Sequence, residues 1–190
     1  KLLIGADGAN SFVREQAYID IDVFDYKQAA ISCAIRTTQA NQYVARQIFL
    51  PTGPLAFLPM ASLNAQENGY LQSIVWTLPD DYADEYVAIT DTEFTQLLTR
   101  ESHHMLGEVL EATPRAKFPL KARAAQQYVR EGLALIGDAA HAIVPFFGQG
   151  MNCGFEDCYV LNEIIEKHGD DWKTILNEYQ ISRKPDSDAI

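Results

Sequence analysis

Two acidic residues stand where short apolar runs end in glycine-bearing turns. Lys1-Leu2-Leu3-Ile4 leads into Gly5-Ala6-Asp7-Gly8, and the run Leu133–Ile136 leads into Gly137-Asp138. After the second, a loop with Pro145 and two aromatics gives way to Gly148-Gln149-Gly150-Met151-Asn152, which opens a strongly amphipathic helical pattern. A carboxylate in such a place can accept hydrogen bonds from sugar or ribityl hydroxyls. The unpaired N–H groups and positive dipole end of a following helix can face a phosphate or an electron-rich ring oxygen. Glycines let the backbone come close where a β-carbon would clash. Together these features suit a polyhydroxylated, anionic, flat cofactor. Arg14 reads either as an exposed helix arginine or as a clamp for phosphate or carboxylate.

Plainer readings stand beside these. Asp7 could belong to an ordinary Asp-Gly turn, and Asp138 could cap the turn that follows its strand. His141 has the chemistry of a general base, yet it reads more simply as a loop histidine held by backbone. His103-His104 lack nearby ligands at metal-binding spacing, so no metal site is expected. Cys33, Cys153 and Cys158 are odd in number and show no Cys-x-x-Cys spacing. They read as reduced thiols of a cytoplasmic protein.

These residues need elements to place them. The pattern predicts a strand over 1–5, a helical turn from Ser11 to Gln16, and strands over 26–37, 44–49, 55–60 and 71–77. Pro51-Thr52-Gly53-Pro54 is a turn by composition, and Asn64 to Gly69 is loop-like. A helix is expected from Thr90 to Leu110, capped by Asp91 or Thr92, with Phe94, Leu97, Leu98, Met105 and Leu106 as its apolar stripe. Strands over 115–120, ending at Pro119, and 133–136 follow, then helices over 150–168 and 172–182.

The 190 residues, 47% of them hydrophobic, suffice for one or two domains with a real core. A formal net charge of −11 argues against nucleic acid and against an anionic membrane surface as partners. No apolar run approaches the roughly 20 residues that span a bilayer.

The Gly137–Gly154 segment is similar to the second FAD-binding motif of the single-component FAD aromatic hydroxylases, the para-hydroxybenzoate hydroxylase-like flavoprotein monooxygenases. Leu2-Leu3-Ile4-Gly5-Ala6-Asp7-Gly8-Ala9-Asn10-Ser11-Phe12-Val13-Arg14 resembles that family's Asp-Gly motif. Residues 5 to about 136 resemble the ubiquinone-biosynthesis hydroxylases, through Asp25-Tyr26, Ala45-Arg46-Gln47, Gly53–Pro59, Ser73–Trp76 and Phe118-Pro119-Leu120. Residues 137–190 instead resemble kynurenine 3-monooxygenase, through Val144–Asn152 and Gly154-Phe155-Glu156-Asp157-Cys158.

The resemblance implies an α/β FAD-binding domain, partial because its N-terminal βαβ unit is lacking, with an inserted α+β substrate domain on a mainly antiparallel sheet. It sets the FAD-binding parts at 1–20 and 121–190 and the substrate domain at 21–120. It implies FAD as cofactor, NADPH or NADH as reductant, and a small aromatic substrate and O2 as partners. Asp7, Gly8 and Arg14 would lie near the pyrophosphate, and Gly137 and Asp138 at a ribityl or ribose hydroxyl. Gly148, Gln149, Gly150, Met151 and Asn152 would offer N–H groups to the pyrimidine end of the ring, with Pro145 alongside. No residue is assigned as a catalytic acid or base. Arg46, Phe57 and Trp76 are candidates for the substrate pocket, against ordinary sheet packing or a salt bridge.

The expected activity is hydroxylation of a ubiquinone-precursor phenol. Hydroxylation of kynurenine and a non-catalytic flavoprotein fold are the alternatives. The chain is read as a fragment of a cytoplasmic enzyme, inactive alone. Peripheral contact with the inner membrane, or membership of a multi-enzyme complex, would come through segments outside it.

Overall fold

The computed structural model describes residues 1–61, 69–142 and 150–188, with side chains to Lys184. They form two compact units, Lys1–Tyr26 with Lys121–Ile190, and Lys27–Leu120. The chain passes between them inside β2 (Ile21–Thr37) and inside β7 (Ala116–Ala125). The first boundary therefore falls at 26/27 rather than 20/21, because β2 starts five residues before the predicted strand and runs unbroken. β7 likewise continues through an exposed Pro119, where the predicted strand stopped.

In the first unit, β1 (Leu3–Gly5) pairs in parallel with β9 (Leu133–Leu135), and β9 pairs antiparallel with β8 (Val129–Arg130). The register Leu3↔Leu133, Ile4↔Ala134, Gly5↔Leu135 makes the two carboxylate-bearing turns neighbours. Both leave the carboxyl ends of adjacent parallel strands, the edge at which open α/β sheets bind ligands. At Gly5 a β-carbon would meet Leu135 Cδ2 at 2.8 Å and Val13 Cγ1 at 2.9 Å, so a larger residue would require those side chains to shift. α1 (Phe12–Gln16) follows the first turn, while α4 (Gly150–His168) and α5 (Trp172–Asp188) close the unit. Leu135, Leu161, Ile164, Ile175 and Tyr179 form its core.

In the second unit the strands run in the order β7-β2-β5-β4-β3, with β6 (Val109–Ala112) also on β2. The pairs β2–β5, β4–β5, β3–β4 and β2–β6 are all antiparallel. Here β3 is Arg46–Leu50, β4 Gly53–Pro59 and β5 Leu71–Pro79. The period of two along each strand separates two faces. Ile31, Trp76, Leu55 and Ile48 make one cross-strand row, and Cys33, Ile74, Phe57 and Arg46 the next. The apolar members of these rows pack with Ala83, Phe94, Leu97 and Leu98 of the helices. The opposite face carries Ser32, Val75, Ala56 and Gln47 in one row and Ala34, Ser73 and Leu58 in the next.

α2 (Asp80–Ala88) was not expected, because only Ala83 on it is fully buried and no apolar stripe announces it. Its signal is Pro79 followed by Asp80-Asp81, since early acidic residues favour a helix N-terminus. α3 (Asp91–Glu101) ends nine residues short of the predicted Leu110. His103 and His104 take φ of +52° and +55°, which a right-handed helix cannot accommodate. Leu106 still reaches the core, so the apolar stripe overstated the helix. The cap is Thr90 in a capping box with Glu93, one residue before the expected Asp91.

Gly53 begins β4 at φ +134°, and a β-carbon there would sit 2.2 Å from the Thr77 carbonyl oxygen. Gly53→Ala should cost more than the ~1–3 kcal/mol of a strained backbone residue alone. A lowered urea midpoint at unchanged slope would report it. A shift within about 0.5 kcal/mol, the range of an ordinary surface change, would show that the hairpin is not seated against β5.

Candidate functional site

The Asp7 turn is built around its own carboxylate. Asp7 accepts from the Ser11 hydroxyl and, at 3.0 Å, from the Val13 N–H. Ser11 in turn caps α1 by accepting from the Arg14 N–H at 2.9 Å. The Ser11 hydroxyl, and after it the backbone amide, hold the Asp7 carboxyl below its ordinary range. Gly8 sits at φ +86° with open space where a side chain would stand. Asp7 thus organises the loop, and Gly8 leaves the loop's surface clear.

Arg14 is neither exposed nor free-ended. It is buried, and its guanidinium donates to the Ala139 carbonyl at 2.9 Å and the Ala9 carbonyl at 3.0 Å. It therefore ties the first turn to the second. Burial, then the charge of Arg123, lowers its pKa from the usual arginine value. Arg123 binds the same loop, donating to Asn10 Oδ1 at 2.8 Å and to the Ala9 carbonyl at 3.2 Å.

The Gly137–Ala139 turn is a single 3-10 turn, closed by Ala140 N–H to the Gly137 carbonyl at 2.9 Å. Gly137 has φ +58°. A β-carbon on Gly154 would lie 3.4 Å from Gly137 Cα, so α4 approaches this turn closely. Asp138 is exposed, and no described residue hydrogen-bonds its carboxylate. Gly150 is the first residue of α4, with Met151 and Asn152 exposed after it. Pro145, Gly148 and Gln149 lie outside the described residues.

A second carboxylate, not singled out from the sequence, lies behind this turn. Asp157 of α4 is fully buried. Its Oδ2 accepts from the Gly137 N–H at 2.8 Å and from His141 Nε2 at 2.7 Å, and its Oδ1 from Arg183 Nε at 2.8 Å. Burial pushes the Asp157 carboxyl up, but the hydrogen bonds of His141, Arg183 and Gly137 outweigh it and hold the group below its ordinary value. His141 is buried in β10 (His141–Ala142) and stacked on Tyr128. That is a structural place, as its plainer reading held, though its partner is a carboxylate rather than backbone. The available signal was the stripe itself. Asp157 falls in line with buried Cys153, Leu161 and Ile164, and Arg183 in line with Ile175 and Tyr179.

The three substrate-pocket candidates sit elsewhere than expected. Phe57 and Trp76 are 1% and 0% exposed and face the helices, with Trp76 against Tyr86. Large rings take the buried side of a sheet covered on that side by helices, so packing explains both. Arg46 lies in the same row, at the sheet edge. Its guanidinium donates to the carbonyls of Asn41 at 2.6 Å and Val44 at 3.0 Å, fixing the loop before β3.

Among the described residues no group of His, Cys, Asp and Glu could hold a metal ion. The described cysteines form no disulfide, and burial pushes the Cys33 thiol up to about 11. No described helix is long and apolar enough to cross a membrane.

The profile of the family described as FAD binding domain matches residues 1–190. Ubiquinone hydroxylase UbiL of Rhodospirillum rubrum is 38% identical over 98% of this chain and 43% of its own length. Kynurenine 3-monooxygenase of Flavobacterium johnsoniae is 78% identical over 58 residues, 30% of this chain and 13% of that protein. Pseudomonas aeruginosa PqsL, solved with 2-aminobenzoylacetate, superposes with a TM-score of 0.80 at 24% identity, covering all of this chain and 52% of that one. The chain thus spans less than half the length of UbiL.

The depressed carboxyl of Asp157 has a consequence for acid stability. Its folded value lies below the ordinary 3.8, so its contribution is full above about pH 4 and is lost as pH falls through the folded value. Asp157→Asn should lower the Tm near neutrality, and the gap to the parent should close on acidification toward about pH 2. Thermal melts across that range measure it, and a gap constant with pH would contradict the assignment.

Proposed function

The chain belongs to the FAD-binding domain family, and from that premise we propose that it is the cofactor-cradling and substrate-selecting part of an FAD-dependent aromatic monooxygenase. The observation that carries the reading is Asp138. It is an exposed carboxylate with no hydrogen-bond partner among the described residues, on a turn whose flanking backbone is held by buried charges. A carboxylate kept free beside a close-packed, glycine-lined backbone fits a ribose or ribityl hydroxyl. The first turn of α4, from Gly150, would supply N–H groups and a positive dipole end to the electron-rich edge of the flavin ring. Gly8 leaves the Asp7 turn open to the pyrophosphate. Asp7 and Arg14 act by shaping that turn and its link to the next.

When bound, FAD reduced by NADPH or NADH would activate O2, one atom of which enters the ring while the other leaves as water. The chain's own residues bind, orient and exclude water. Orientation falls to the second unit, because the ring carbon must be held at near-attack distance. Its candidate surface is the sheet face turned away from α2 and α3. There Ser32, Ala34, Ala56, Ser73 and Val75 are small and half-exposed, with Leu58 beside them. Such a surface leaves room for a ring and an apolar tail, and its Arg36 is paired with Glu111. That suits a prenylated phenol of ubiquinone biosynthesis better than a zwitterion.

Hydroxylation of kynurenine is the second reading, favoured by the 78% identity over 58 residues. The breadth of the UbiL match, 98% of the chain, weighs against it. The complete protein, given each compound with reductant and O2 and followed by mass spectrometry, separates them. Hydroxylated phenol with kynurenine untouched is the expected result, and robust 3-hydroxykynurenine formation would overturn it.

A further inference from the structure

We propose that Asp157 is a positioning residue for the cofactor, acting through Asp138 and itself locked by Arg183. This inference rests on the FAD reading of the preceding subsection. Asp157 is fully buried on a helix stripe otherwise made of Cys153, Leu161 and Ile164. A buried charge there is costly unless every lone pair is used, and a well-packed apolar residue is often no less stable. What an apolar residue could not do is accept the N–H of Gly137, the residue before Asp138. On the other side the Ala139 carbonyl is taken by Arg14. The turn is thus gripped at both flanking residues by buried charged side chains, from α4 and from α1.

Arg183 completes the device. Its Nε donates to Asp157 Oδ1 at 2.8 Å, and its far nitrogen lies 3.3 Å from Glu156 Oε2. The α5 guanidinium therefore spans two neighbouring α4 carboxylates, Asp157 and Glu156, while His141 takes the remaining place on Asp157 Oδ2 at 2.7 Å. Replacing Asp157 by Asn leaves one oxygen for three donors and turns an NH2 group toward at least one of them. The turn then loses one of its two grips, and Asp138 loses its fixed direction, with the shape of the side chain nearly unchanged.

The test is a double-mutant cycle on the complete protein, with FAD affinity read by flavin fluorescence and backbone amide exchange at 137–139 read without FAD. Asp157→Asn should weaken FAD about tenfold in the parent. It should weaken FAD less than about twofold when Asp138 is already Ala, because the lost contact is the same one. Arg183→Lys, which keeps the charge and loses the guanidinium's span, should show the same dependence on Asp138 at smaller size. It also serves if Asp157→Asn does not fold. Amide exchange at 137–139 should quicken in both variants while that of β5 holds. Equal weakening with and without the Asp138 carboxylate, or full FAD affinity in the folded variants, would overturn the proposal. If the parent complete protein takes up no FAD, the function proposed above fails. The exchange result then decides the positioning alone, and unchanged protection at 137–139 overturns it.

Discussion

One buried carboxylate draws the cofactor-type unit together. Asp157 joins α4 to the Gly137 turn, to β10 and to α5. The cost of burying that charge is offset only if all its partners stay in place. The Gly137–Ala139 turn is therefore held at both ends, and the same constraint passes through Arg14 to the Asp7 turn on the neighbouring parallel strand. Two segments more than a hundred residues apart in sequence become one rim. Asp7, Arg14 and, behind the rim, Asp157 all hold the backbone in place, while the exposed Asp138 carboxylate accepts from no described residue.

The second unit divides its labour by face. Its antiparallel strands carry large side chains toward the helices and small ones away from them. The first face makes the core that keeps the sheet rigid. The second is half-exposed and carries small side chains at its centre, with the Arg36–Glu111 ion pair at one end. Rigidity on one side is what gives the other a fixed shape.

Much of this was legible in the sequence. The apolar runs ending in Gly-Asp or Asp-Gly locate both turns, because strand ends and glycine turns are local features. Their adjacency follows from a parallel pairing that no local pattern shows. The alternation in β4 and β5 reveals two faces but not which one the helices cover. The alternation alone therefore leaves Phe57 and Trp76 open as pocket walls, whereas both lie in the core. Arg46 was hard to explain as core for the same reason, since its backbone partners at 41–44 are set by a loop and not by the strand. Asp157 and Arg183 were hidden in plain stripes, where a charge reads as an interruption of the apolar pattern unless its partner is known. α3 shows the converse, since Leu106 is buried without being helical once His103 and His104 turn the chain out of the helix.

We propose that Asp138, which no described residue hydrogen-bonds, binds the cofactor. The most direct measurement is a crystal structure of the complete protein with FAD. It should show the Asp138 carboxylate about 2.7 Å from a ribose or ribityl hydroxyl, the length of a charge-assisted hydrogen bond, with Gly137 N–H still on Asp157. FAD bound with Asp138 left in solvent, or with Asp157 swung away to meet the ligand, would contradict it.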